Sequence, residues 1–169
     1  MNLAGSEDTG DVNYAIRLRQ ESFAFAAAHF ITYDGDTCEP LHGHNYRVVV
    51  ELGAPLDEDA YVLDFIATRD AVQRIVDELD HRVLLPTEHR LISVDETADE
   101  VVARFEDRRW VFPASDCRLL PVANTTAELL AAWIGERVLA ATPGVVSAVV
   151  EVEESPGQAA VWRWRPAGE

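Results

Sequence analysis

The stretch Thr37-Cys38-Glu39-Pro40-Leu41-His42-Gly43-His44-Asn45-Tyr46 decides how the rest of this chain is interpreted. It leads into Arg47-Val48-Val49-Val50, a run that is typical of a β-strand. Residues two apart in a strand project from the same face, so His42 and His44 are expected to present two imidazoles side by side. Gly43 between them lacks a side chain and allows a close approach to the backbone. Two adjacent imidazoles form half of a metal site.

A third imidazole is available just upstream, because His29 ends the apolar segment Phe23–Phe30. Three neutral imidazoles with an open fourth position suit a catalytic zinc ion, whereas a structural zinc ion usually takes four protein ligands. The alternative is that His29, His42 and His44 are ordinary packing histidines. Cys38, close to these residues, is a candidate base or nucleophile whose pKa a zinc ion and an imidazole would depress. Its alternative is an unreactive loop thiol.

Composition and charge limit the class of protein. The 169 residues are 48% hydrophobic and 26% charged, which is typical of one globular domain. Thirty acidic residues against 14 basic ones, all arginine, leave a net charge of −16, which argues against nucleic acid or an anionic membrane as a partner. The sequence shows no long apolar run and begins with a polar, acidic stretch, so we predict neither a membrane span nor a signal peptide. Cys38 and Cys117 are then expected to be free thiols in the cytoplasm.

The order of predicted elements indicates an α+β fold. Residues 1–12 read as a disordered acidic tail, and residues 13–169 as one domain. The apolar residues Ile16 and Leu18 lie at even positions, whereas Phe23, Phe25, Ala27 and His29 share the odd positions. This change of parity predicts a bulge or break near residues 20–22. The second strand and the strand beginning at Gly43 are predicted to pair as an antiparallel hairpin whose long tip holds Cys38.

Two helices and two further strands complete the predicted pattern. Asp64 is a suitable N-cap for a helix over 65–79, with Asp80-His81 at its C-terminal end, and Thr125 to Glu128 fits a capping box before a second helix. Strands over 145–154 and 159–164 flank a Pro156-Gly157 turn. The order predicts a four-stranded antiparallel sheet with both helices on one face. Residues 88–118 look like an inserted β element of two or three strands.

Five motifs in order resemble the 6-pyruvoyl-tetrahydropterin synthase and 6-carboxytetrahydropterin synthase family. They are Ala-Ala-His29-Phe, Cys38-x-x-x-His42-Gly-His44-Asn, Leu79-Asp80-His81, Asn124-Thr-Thr126-Ala-Glu128 and Glu154-Ser-Pro. The resemblance covers about residues 20 to 164. It implies a tunnelling fold (T-fold) that assembles as a homohexamer, a dimer of trimers. The insert departs from the family pattern.

The resemblance implies a zinc-dependent enzyme that acts on 7,8-dihydroneopterin triphosphate. His29, His42 and His44 would bind Zn²⁺ and hold the side-chain hydroxyls of the substrate. Cys38 and the Asp80-His81 pair would form a proton relay, with its two parts often contributed by different subunits. From the residues alone, the better explanation of Asp80 and His81 is that they are polar residues at the C-terminal end of a helix.

Glu154 closes the otherwise apolar face formed by Ala148, Val150 and Val152, and a carboxylate in such a place needs strong partners. The amino group and ring N–H of a pterin would supply two donors, and the resemblance makes Glu154 the pterin anchor. Backbone around Thr126 is a further implied contact. The alternative is that Glu154 turns out to solvent at the strand end.

The spacing from Cys38 to His42 resembles the carboxy branch of the family, which belongs to queuosine and deazapurine biosynthesis and yields 6-carboxytetrahydropterin, acetaldehyde and triphosphate. Glu39 complicates this assignment, because a folate-route branch carries a glutamate near the position of the cysteine. Two alternatives stay open, a 6-pyruvoyl-tetrahydropterin synthase activity and a zinc-binding oligomeric scaffold without turnover. Arg17, Arg19, Arg47 and Arg82 are candidates to neutralise a triphosphate.

Overall fold

The computed structural model describes residues 14–166, so the predicted tail over 1–12 lies outside the described residues. No helix in this part of the chain is long and apolar enough to cross a membrane. The first half contains β1 (Ala15–Leu18), β2 (Ala24–His29), β3 (Thr32–Tyr33), β4 (Thr37–Cys38), β5 (His42–Gly53) and α1 (Phe65–Asp77). The second half contains β6 (Arg82–Pro86), β7 (Ser93–Glu96), β8 (Glu100–Phe105), β9 (Arg108–Pro113), a 3₁₀ turn (Ala114–Asp116), β10 (Cys117–Leu120), α2 (Ala127–Ala141), β11 (Ser147–Ser155) and β12 (Gln158–Trp164).

The central strand β5 organises the main sheet. Its first half pairs antiparallel with β2, its second half pairs antiparallel with β1, and β11 pairs along its other edge. The chain turns between β1 and β2, where the Phe23 amide donates to the Gln20 carbonyl at 3.1 Å. The predicted break near residues 20–22 is therefore confirmed, and it explains why the buried positions change parity there.

Two helices cover one face of this sheet. Asp64 caps α1 by accepting from the amides of Ile66 and Ala67 at 2.7 and 2.9 Å, as predicted. α2 begins one residue later than the predicted capping box, because Thr126, not Thr125, is its N-cap. Buried residues from both helices and from the inward faces of the strands form one apolar core. The α+β class is confirmed.

The sheet is wider than the four predicted antiparallel strands. Its order is β10-β6-β2-β5-β11-β12, with β1 added beside β5. Two of the strands that were not predicted, β6 and β10, pair in parallel, β6 with β2 and β10 with β6. Their apolar runs, Val83–Leu85 and Leu119–Leu120, are too short for periodicity to reveal, and only burial in the sheet identifies them.

Residues 88–118 contain a separate three-stranded antiparallel sheet, β7-β8-β9, spanning 93–113. Cys117 belongs instead to β10 of the main sheet, so the separate sheet ends before the predicted boundary. A second apolar cluster joins the two sheets, and it consists of Phe30, Leu85, Ile92, Val101, Ala103 and Phe105. This cluster is called the insert cluster below. Its member Phe30 directly follows His29, the last residue of β2.

Candidate metal centre and active site

The pairing of β2 with β5 brings three histidines together. His29 lies directly opposite His42, and His44 projects from the same face of β5 two residues further on. One nitrogen from each ring can be chosen so that all three atoms lie within 4.8 Å of one another. Among residues 14–166 no other His, Cys, Asp or Glu belongs to this group. The structure thus assembles the three predicted ligands at one end of the sheet.

Backbone carbonyls set the tautomers of two of these histidines. His29 Nδ1 donates to the Thr125 carbonyl at 2.9 Å, and His42 Nδ1 donates to the Pro40 carbonyl at 2.9 Å. In the neutral ring each Nε2 is therefore unprotonated, the form that a metal ligand requires. Burial lowers the pKa of His29, although the Thr125 carbonyl and Glu154 oppose this effect. The donor set fits a divalent ion that accepts three imidazoles and keeps an open position, as catalytic zinc does.

The Glu154 carboxylate lies beside the histidines. Its Oε1 is 3.5 Å from His29 Nε2 and 4.0 Å from His44 Nε2, and the side chain is 29% exposed. It does not turn away into solvent, the alternative that the strand-end position allowed. The Glu154 carboxylate is accessible to solvent and lies beside the histidine ring nitrogens. A ligand that binds there can therefore contact both the carboxylate and the histidine cluster.

Tyr46 is a site residue that sequence reasoning missed. Its hydroxyl donates to Glu154 Oε1 at 3.1 Å and lies 3.2 Å from His29 Nε2, while its ring is fully buried against Phe25. Burial and the nearby Glu154 raise the pKa of Tyr46 far above its ordinary value, so the hydroxyl stays a proton donor. The signal was available, because Tyr46 shares the parity of His42 and His44 on β5.

Cys38 and Glu39 enter different surroundings although they are adjacent. The Cys38 side chain packs against the insert cluster, with its sulfur 3.6 Å from the Glu39 carbonyl. Burial raises the pKa of the Cys38 thiol; Arg108 partly opposes this effect and Glu39 adds to it. The protein by itself therefore does not produce the depressed pKa that was predicted for a thiol beside zinc. The Glu39 carboxylate lies 3.8 Å from His42 Nε2.

Asp80 and His81 form a pair in the turn after α1. His81 Nδ1 donates to Asp80 Oδ2 at 2.8 Å, and Asp80 Oδ1 accepts from the Ala26 amide at 2.8 Å. Burial alone would raise the pKa of Asp80, but these two donors outweigh it and lower the pKa. His81 has a φ of 55° and a side chain that is 82% exposed. Within residues 14–166 of one chain, no hydrogen bond or ion pair joins this pair to the three histidines.

Thr125 and Thr126 divide two structural tasks. Thr126 Oγ1 accepts from the Leu129 amide at 3.5 Å and caps α2. Thr125 is buried; its hydroxyl donates to the Phe30 carbonyl at 3.3 Å, while its own carbonyl orients His29. The predicted capping box was wrong by one residue because the Thr125 hydroxyl is buried against the Phe30 carbonyl, just past β2, and does not cap the helix. Cys117, predicted to be structural, is a free, half-buried thiol whose pKa burial raises to about 11.

Comparison with known proteins agrees with this geometry. A sequence model of the family "6-pyruvoyl tetrahydropterin synthase" matches residues 18–164. The chain belongs to the 6-pyruvoyl tetrahydropterin synthase family. It is thus a member of an enzyme family, and the resemblance inferred from the motifs is confirmed.

Among curated relatives, a putative 6-carboxy-5,6,7,8-tetrahydropterin synthase of Methanocaldococcus jannaschii is 34% identical over 115 residues, covering 68% of this chain and 70% of the relative. A probable 6-carboxy-5,6,7,8-tetrahydropterin synthase of Halobacterium salinarum is 28% identical and covers 82% of this chain and 81% of the relative. The family resemblance thus extends to proteins named for the carboxy product.

Among solved structures, the 6-pyruvoyl tetrahydropterin synthase of Plasmodium vivax superposes with a TM-score of 0.82 at 29% identity, covering 90% of this chain and 98% of that chain. Two other structures of the Plasmodium vivax enzyme carry alanine or cysteine in place of a glutamate described as a catalytic residue. The fold of this chain is therefore that of the synthase family.

Proposed function

We propose that this chain is a zinc-dependent pterin synthase that converts 7,8-dihydroneopterin triphosphate and water to 6-carboxy-5,6,7,8-tetrahydropterin, acetaldehyde and triphosphate. The observation that carries the proposal is the His29-His42-His44 cluster with the Glu154 carboxylate at its side, in a chain of this family. The names of the curated relatives support the carboxy product.

The residues divide the work of binding. Zinc, when bound by the three histidines, would supply a Lewis acid toward the side-chain oxygens of the substrate. Glu154 accepts from the amino group and ring N–H of the pterin, two donors in a fork that a carboxylate matches. Tyr46, by donating to Glu154 Oε1, holds this carboxylate in place. Backbone near Thr126 is the further pterin contact that the family resemblance implies.

Proton transfer needs a base and an acid on the two sides of the substrate. Cys38 takes a carbon-bound proton, and His81, oriented by Asp80, returns one. Because no hydrogen bond or ion pair among residues 14–166 joins Asp80 and His81 to the histidine cluster, we propose that the His81 of a site comes from a neighbouring copy. A homohexamer in the cytoplasm, serving queuosine biosynthesis, is the context that the family resemblance favours.

Glu39 is the second candidate for the base, and a specific observation favours it. Its carboxylate lies 3.8 Å from His42 Nε2, whereas the Cys38 side chain packs against the insert cluster. A carboxylate also needs no activation to act as a base at neutral pH. With Glu39 as the base, the enzyme would act on the same substrate, and the alternative product is the 6-pyruvoyl compound.

Metal analysis tests the first part of the proposal. Protein purified without added metal should contain about one zinc ion per chain. His42→Ala and His44→Ala should lose most of it, whereas His81→Ala, a matched control outside the cluster, should retain it. Full metal occupancy in both cluster variants would show that the site is wrongly placed.

Product analysis by mass tests the reaction. Wild-type protein incubated with 7,8-dihydroneopterin triphosphate should release acetaldehyde and 6-carboxytetrahydropterin. A dominant 6-pyruvoyl species would assign the animal-type activity instead. If the metal-loaded protein forms neither product, the chain is a zinc-binding scaffold and the proposal fails.

Substitution of the two candidate bases separates them. Cys38→Ala should abolish turnover and leave metal content unchanged, and Cys117→Ala is the matched control with a rate near that of wild type. If Cys38→Ala keeps close to the wild-type rate while Glu39→Gln loses turnover, Glu39 is the base.

A further inference from the structure

Arg108 reaches from the three-stranded sheet to the backbone of both candidate bases. It is the first residue of β9, and its Nη1 donates to the Cys38 carbonyl at 2.8 Å while its Nη2 donates to the Glu39 carbonyl at 2.9 Å. A guanidinium offers two parallel donors in a rigid fork, so one side chain can hold two successive carbonyls at once. The sequence does not suggest this contact, because residue 108 lies far along the chain from residues 38 and 39.

Stacked aromatic rings link the Arg108 guanidinium to Phe30, the residue next to His29. The Arg108 guanidinium lies 4.6 Å above the Trp110 ring, and Trp110 stacks on Phe30 with ring centroids 4.4 Å apart. Phe30 is 1% exposed and directly follows His29 in the chain. These contacts connect Arg108 to the backbone beside His29 through two stacked rings. The distance from the held peptide to the histidines is therefore set by packing.

Apart from the Arg108 fork, few hydrogen bonds hold the Cys38–Glu39 peptide in place. The Glu39 amide donates to the Ile31 carbonyl at 3.0 Å, and Cys38 pairs with Thr32 in the short β3-β4 ladder. This ladder has only two residue pairs, and two-stranded ladders of that size are marginally stable. A rotation of the peptide would move both the thiol and the carboxylate relative to the three histidines.

We propose that Arg108 is a positioning residue, which fixes the Cys38–Glu39 peptide so that the base stays in register with His29, His42 and His44. This assigns a task in the reaction to the three-stranded sheet. The inference rests on the proposed function, but it holds for either candidate base, since the fork binds the carbonyls of both residues. A misplacement of about 1 Å at a reacting group costs about 100-fold in rate.

Three variants test the proposal. Arg108→Ala removes the fork, Arg108→Lys keeps the charge but replaces the fork with a single ammonium group, and Arg109→Ala removes an equal charge from the next, solvent-exposed position. Arg108→Ala should lower kcat by about 10- to 100-fold with KM changed by less than about 3-fold, since substrate contacts remain. Arg108→Lys should recover only a minor part of this loss. Arg109→Ala should match wild type.

Two further measurements make the result specific. Metal content should be unchanged in all three variants, and amide hydrogen exchange should become faster over residues 31–41 in Arg108→Ala, with Arg108→Lys intermediate. A wild-type kcat with unchanged exchange in Arg108→Ala would overturn the proposal. Loss of metal or of the whole fold in Arg108→Ala, together with a wild-type kcat in Arg108→Lys, would also overturn it.

The exchange measurement separates this proposal from the proposed function. If the wild-type protein turns over no pterin, the proposed function fails, whereas faster exchange over residues 31–41 in Arg108→Ala still supports the hold on the peptide. If turnover is present and exchange is unchanged, the positioning proposal alone fails.

Discussion

Glu154 shows how one residue can join the metal centre to a ligand site. Its carboxylate contacts the edge of two histidines and accepts from Tyr46, yet nearly a third of its side chain is open to solvent. Glu154→Gln keeps the shape and removes the charge. It should therefore weaken the binding of a pterin without triphosphate by about 1.5–3 kcal/mol, the worth of a hydrogen bond to a charged group.

A fluorescence titration with such a pterin measures this effect. Glu151→Gln is the matched control, because Glu151 lies on the same strand but projects to the opposite face, and its affinity should equal that of wild type. An unchanged affinity in Glu154→Gln would contradict the assignment of Glu154 as the pterin anchor.

Hydrogen bonds of His89 link the segment that precedes β7 to β3, which pairs with the strand that contains Cys38. His89 Nδ1 accepts from the amides of Leu91 and Ile92 at 2.9 and 2.8 Å, so its Nε2 carries the proton and donates to Thr32 Oγ1 at 2.8 Å. Burial, assisted by the neighbouring charge of Arg90, lowers the pKa of His89. Protonation at Nδ1 would abolish both accepted hydrogen bonds.

A lowered histidine pKa means that the unfolded chain binds the extra proton first. The contribution of His89 to the free energy of unfolding is therefore complete above the unfolded pKa of about 6.5 and is lost as the pH falls below it. We expect His89→Asn, whose side-chain oxygen can still accept from the two amides, to lose less thermal stability than wild type between pH 7.5 and 5.5. Equal losses in melting experiments on the two proteins would refute this role.

At the scale of elements, α2 depends on a glycine where it meets β12. A Cβ atom built on Gly135 would lie 2.2 Å from the ring of Trp162, so the helix can pack this closely only because the side chain is absent. Gly135→Ala gains helix propensity of about 1 kcal/mol but must displace a large ring that packs against the core. Overpacking costs about 1–3 kcal/mol, so we expect a net loss of stability.

Chemical denaturation measures this change. Glu136→Ala, at the next and exposed position of the same helix, is the control and should change the free energy of unfolding by less than about 0.5 kcal/mol. A Gly135→Ala variant more stable than wild type would mean that the Trp162 ring moves without cost.

At the scale of the whole molecule, the edges of the main sheet favour assembly. Both helices lie on one face, and the edge strands β10 and β12 each have a free side within the described residues. Unpaired edges need partners or protection. We expect a hexamer in light scattering at micromolar concentration, and a monomer would contradict the shared site.

Mixing two inactive variants tests whether the site is shared. One variant carries Cys38→Ala with Glu39→Gln, and the other carries His81→Ala. If each site draws these parts from two copies, dissociation and reassembly of an equal mixture should restore about a quarter of the wild-type rate, since random pairing supplies both intact parts at about one site in four. No recovery would place both parts of the relay in one chain.

The sequence by itself determined the class of fold, the family and the three clustered histidines. These features follow from patterns that are visible over short stretches of the sequence. Alternation places His42 and His44 on one face of β5, the change of parity places the break near residues 20–22, and Asp64 caps a helix whose apolar positions recur at helical spacing.

Only the tertiary structure decided which groups surround those histidines. The Thr125 hydroxyl is buried against the Phe30 carbonyl and does not cap α2. Cys38 packs against the insert cluster while Glu39 faces His42, and Arg108 donates to both of their carbonyls. These outcomes depend on contacts between residues far apart in the chain. Such contacts are selected by the packing of the two sheets against each other, and no local periodicity encodes that packing.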